Sequence, residues 1–158
     1  MNSCAKLLQE LTAGTHDEVL AALYALDGTQ ASLDRAQERA AQVVRSFAEI
    51  FTPEEHASVA LFSGPGRTEI GGNHTDHQHG RVLAGSVNID MIAAAAPNSL
   101  NQLRVQSEGY DLCVIDLDDL TARKEEENTT ASLLRGECEA FRQRGAKLSG
   151  LDVYISSN

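Results

Sequence analysis

Between Ser63 and Gly85 the chain reads SGPGRTEIGGNHTDHQHGRVLAG, packing six glycines and three histidines beside two arginines and an aspartate. Four kinds of chemistry compete for these types. His74, Asp76, His77 and His79 suit zinc or iron, although neighbours in a strand point to opposite faces and a short loop does not easily converge four of them. A nucleotide cradle would need a Walker or dinucleotide glycine spacing, and GPGRTEIGG has neither. The glycines alone fit a strand, a tight turn and a second strand with solvated polar residues. The fourth reading is a pocket for a small hydroxylated molecule next to a phosphate. There Asp76 accepts two hydroxyl hydrogen bonds, Asn73 and His74 donate or accept, and Arg67 supplies a fixed positive charge. That reading accounts for the polar density as well as the glycines.

The elements that must hold this stretch are legible on both sides of it. The first fifty residues read as helix. In HDEVLAALYALDG, Val19, Leu20, Leu23 and Leu26 recur at helical spacing and Gly28 stands where a helix stops. SLDRAQERAAQVVRSFAEIF sets Leu33, Ala36, Ala40, Val44, Phe47 and Phe51 on one stripe, with charges opposite. Thr52 and Pro53 look like a fresh helix start. From Val59 the pattern turns to strands: VALF, RVLAGSVNI, MIAAAAP, LRVQSEG, CVIDL and LDVYISS, bounded by Gly, Asn and Asp. NTTASLLRGECEAFRQRG reads as a helix of about fourteen residues with Leu134, Cys138 and Phe141 on one face and Gly145 as its stop. KEEEN before it reads as a solvated turn with acids at a helix start. The expectation is an α+β unit with helices first.

Composition bounds the function. With 158 residues the chain suffices for one domain with a core. Its net charge of −10 and pI near 4.8 disfavour nucleic acid and anionic membranes as partners, since its field repels polyanions. Cys4, Cys113 and Cys138 share no close spacing and fit reduced thiols, hence a cytoplasmic protein, better than a disulfide framework. No apolar run is long enough to span a bilayer.

PGRTEIGGNHTDHQHGRVLAGSVNID resembles the amino-terminal signature of galactokinases, members of the GHMP small-molecule kinases. Pro65, Gly66 and Arg67, then Gly72, His74, Thr75 and Asp76, then Gly80, Val82 and Leu83 stand in register with it. The resemblance implies an α+β GHMP-kinase amino-terminal domain, a mixed sheet with covering helices, over 53–158, preceded by a helical extension over 1–52. It implies transfer of the γ-phosphoryl of ATP·Mg2+ to the 1-hydroxyl of galactose. In that transfer Arg67 lies near the reacting hydroxyl as the catalytic group, while Asn73, His74 and Asp76 bind the sugar. Asn73 stands where the family has glutamate, Glu69 where it has asparagine and His77 where it has tyrosine, so the choice of sugar is open to change. The family's phosphate-loop motif, metal ligands and catalytic aspartate have no counterpart here. This implies a chain interrupted before them, inactive alone, whose final strand leaves an unpaired edge or apolar face for the rest. A catalytically silent sugar-binding module and a metal-dependent hydrolase using the histidines are the alternatives.

Overall fold

The structure, a computed structural model, describes residues 3–51, 58–72 and 78–157. Three helices come first: α1 (Cys4–Thr12), α2 (Asp17–Tyr24) and α3 (Gln30–Phe51). The strands are β1 (Ala60–Gly71), β2 (Leu83–Pro97), β3 (Gln102–Ser107), β4 (Cys113–Asp116) and β5 (Leu151–Ser157), with α4 (Thr130–Gln143) between the last two. They form one sheet in the order β1-β2-β5-β3-β4, antiparallel except for the β3–β5 pair.

Helix α3 forms because its apolar residues recur every three to four positions, and the expected stripe is the one buried. Ala40, Val44 and Phe47 are wholly inside, with Ala36 and Phe51 nearly so and Leu33 packed against them. This face meets Ile92, Ala94 and Ala96 of β2 and Tyr154 of β5 in a single core, so the amino-terminal helices and the sheet are packed together. A smaller core lies under α4, where Ile115, Leu117, Leu120 and Cys138 are buried. Gly145 follows the end of α4 at φ +85°, in the left-handed region where glycine carries no penalty, whereas Gly28, at φ +67°, lies in the turn beyond α2 and does not stop it.

Several expectations are corrected. Of Val19, Leu20, Leu23 and Leu26 only Leu20 is buried. Helix α2 stops at Tyr24, so Leu26 lies beyond it, and Val19 and Leu23 line an open cavity of about 270 Å3 against β1. RVLAGSVNI and MIAAAAP are not two strands but one, and Asp90 is no boundary: it is buried in mid-strand, where three donors satisfy its carboxylate. Phe141 is exposed, and the buried neighbour of Cys138 on α4 is Arg135. Glu126 takes two hydrogen bonds from that guanidinium, at 2.8 and 2.7 Å, so the KEEEN run is more than a solvated turn. Strand β5 leaves no free edge: β2 pairs with it on one side and β3 on the other. The helix start expected at Thr52 and Pro53 lies outside the described residues.

Candidate functional site

The signature sits on the β1–β2 hairpin. Strand β1 runs twelve residues, through Pro65, Gly66 and Arg67 to Gly71, so most of what reads as a glycine-rich loop is paired strand. Pro65 is tolerated because β1 is an edge strand whose outer side needs no ladder donor. The register runs Ala60↔Ala95 to Pro65↔Asp90, then breaks and resumes at Arg67↔Ser86. At the break Gly66 lies under the bulging β2 segment, where a Cβ would come within 2.9 Å of the Ile89 carbonyl oxygen and 3.2 Å of Val87 Cγ2. The glycine of PGR is therefore a steric requirement of this hairpin.

A second glycine closes the far end. Gly72 has φ +127°, and a Cβ there would lie 2.7 Å from Val82 Cα and 2.8 Å from the Arg81 carbonyl oxygen. This pinch brings together the two ends of the segment that contains Asn73, His74 and Asp76. Those three residues lie outside the described residues, as does His77. His79 falls in the turn that follows, exposed, with φ +61°. Arg67 stands on β1 opposite Ser86, solvent-exposed, on the same arm of the hairpin. From Arg67 to Gly72 every side chain is exposed, so the arm reaches beyond the core into solvent.

At the root of the arm lies a polar cluster that the sequence did not announce. Asp90 of β2 accepts from the Tyr24 hydroxyl of α2 (2.6 Å), the Ser63 hydroxyl of β1 (2.6 Å) and an Arg39 Nη of α3 (2.5 Å). A second Arg39 Nη donates to the Asp90 carbonyl oxygen at 3.3 Å, and the guanidinium lies over the Tyr24 ring, 5.8 Å from its centroid. Burial pushes the Asp90 carboxyl up, but the hydrogen bonds from Ser63, Tyr24 and Arg39 outweigh it and hold its pKa below the usual carboxylate value. The signal was its parity: Asp90 shares a face with Ile92, Ala94 and Ala96.

Among the described residues no group of three or more His, Cys, Asp or Glu is placed to hold a metal ion. Helix α4 starts at a Thr129 cap, with no glycine-rich turn before it. Among the described residues, no helix is long and apolar enough to cross a membrane.

Residues 45–97 match the family model described as the galactokinase galactose-binding signature. A galactokinase of Lactobacillus helveticus is 27% identical over 110 residues, which are 68% of this chain and 28% of that protein. Among solved structures, the Lactococcus lactis galactokinase complexed with galactose superposes with a TM-score of 0.61 at 24% identity, over 72% of this chain and 29% of the other. The chain thus spans under a third of the length of these relatives. The expected fold, an α+β mixed sheet with covering helices of the GHMP-kinase amino-terminal kind, is the observed one. In its signature and its sequence this chain is similar to the amino-terminal portion of galactokinases, and it shares their fold there.

Proposed function

We propose that this chain is the sugar-binding portion of a galactokinase-type kinase whose complete form moves the γ-phosphoryl of ATP to the 1-hydroxyl of galactose. The observation that carries the reading is the pair of sterically required glycines, Gly66 and Gly72, inside the segment that matches the galactose-binding signature. Between them runs an exposed arm bearing Arg67, and after them comes the segment with Asn73, His74 and Asp76. A hydroxyl-rich ligand needs charge-assisted acceptors such as Asp76, and Asn73 and His74 can orient it. Arg67 is the group for charge that develops on the reacting oxygen and the phosphoryl. In this reading residues 1–52 are a helical extension and 53–158 the kinase-type portion. ATP and Mg2+ would be held by residues of the complete enzyme, and the isolated chain binds sugar without turning it over.

Titrating the isotope-labelled chain with galactose is the direct test. The expected result is weak, saturable binding that shifts the amides of 64–85, with glucose weaker and no ATP consumption. Shifts absent or scattered over the molecule at saturating sugar would overturn the reading. Sustained turnover would show that a complete active site is present.

A further inference from the structure

We propose that Asp90 is a positioning residue for the sugar-binding hairpin: with Tyr24, Arg39 and Ser63 it anchors the root of the arm that carries Arg67. The inference rests on the sugar-site reading above. One carboxylate, with its side chain only 6% exposed, draws donors from α2, α3 and β1 while sitting on β2. It is the register partner of Pro65, and the next paired residue beyond the break is Arg67. The anchor therefore stands at the last core-facing position before the strands leave cover, two residues from the candidate catalytic arginine.

The choice of residue argues for direction rather than bulk stability. A buried ion pair contributes no more than an apolar residue of similar size would, because desolvation offsets the attraction. What a carboxylate adds is fixed geometry: three donors from three elements admit one arrangement, whereas an apolar contact tolerates sliding. Tyr24 and Arg39 both precede residue 45, where the galactose-binding signature match begins. The amino-terminal helices would thus take part in the site without touching the sugar.

The test uses the full chain and three variants: Asp90→Asn, and the milder Tyr24→Phe and Ser63→Ala, each of which deletes one hydrogen bond from the carboxylate. Glycine amide resonances report the arm at Gly64, Gly66, Gly71 and Gly72, and Gly109, Gly136 and Gly145 serve as distant controls. The arm glycines should shift in all three variants, most in Asp90→Asn, while the controls stay in place. Galactose affinity should fall about tenfold in Asp90→Asn and less in the others. If the arm glycines do not move in the single-bond variants while the melting temperature falls, Asp90 is a core clamp only and the proposal is overturned. Intact arm shifts with no galactose binding in the parent chain would instead refute the sugar-site reading and leave the anchor standing.

Discussion

Gly72 and Val82 are in backbone contact across the base of the signature segment, so close that a Cβ on the glycine would lie 2.7 Å from the valine Cα. Gly72→Ala has to push these strands apart and also adopt a φ of +127° that side chains rarely take. A loss of about 1–3 kcal/mol is expected, together with loss of galactose binding. Gly71→Ala is the control, since a Cβ there meets nothing within 4 Å. Urea unfolding and sugar titration of the two variants check it: equal behaviour would deny the pinch its role.

Asp76→Ala should weaken galactose binding by tenfold or more. A carboxylate gripping two hydroxyls makes charge-assisted hydrogen bonds worth roughly 1.5–3 kcal/mol each. His79→Ala, in the exposed turn beyond, should leave binding unchanged. Calorimetry on both, with elemental analysis of the purified parent, separates this from metal chemistry. One zinc or iron per chain that is lost with His79 would favour the hydrolase.

Asp152 of β5 is the hub of a second buried group. It accepts from Arg104 Nε at 2.7 Å, from an Arg104 Nη at 2.5 Å and from Asn98 at 2.6 Å. The guanidinium also stacks over Phe51 of α3, 5.2 Å from the ring centroid. Asp152→Ala leaves a largely buried cation without its partner and should cost about 3 kcal/mol. Chemical denaturation checks this, and galactose-induced shifts in the arm should persist in the variant.

Acid should unfold the chain through several carboxylates at once. Hydrogen bonds from Arg123 and Thr121 hold Asp119 at about 2, and Asp90 and Glu126 also lie below their usual values. A carboxyl depressed in the folded state stabilises above its unfolded pKa, and that stabilisation fades as pH falls through the folded value. Stability should therefore hold down to about pH 4 and drop between there and pH 2. In Asp90→Asn the same measurement should show a shallower fall. A melting temperature flat across that range would contradict these shifts.

Helix α3 was legible because one period runs unbroken through twenty-two residues and its buried stripe is the predicted one. The signature was legible because steric glycines and polar residues recur at fixed spacing. The length of β1 and the unity of β2 were not. Glycine, proline and aspartate read as boundaries unless their tertiary partners are known: Gly66 needs the β2 bulge, and Asp90 needs Tyr24, Arg39 and Ser63. Arg135 was invisible for the same reason, since a buried guanidinium depends on Glu126 and the Asp119 carbonyl being there to receive it. Local pattern marks the helices and the cores of the strands, but partners distant in sequence decide how far a strand runs and which polar groups go inside.

The place of β5 in the sheet dictates an order of assembly. Among the described residues, β1 pairs only with β2 and β4 only with β3, and these two hairpins are bridged by β5 alone. On the ribosome the helices and both hairpins emerge before the strand that unites them. Until Leu151–Ser157 is synthesised, the half-sheets present open edges at β2 and β3, the situation that invites pairing with other chains. Folding must then close long loops to insert a central strand after both hairpins have formed, a slow step. Premature release of the nascent chain before residue 151 would yield two unjoined hairpins, and should raise aggregation out of proportion to the short strand lost.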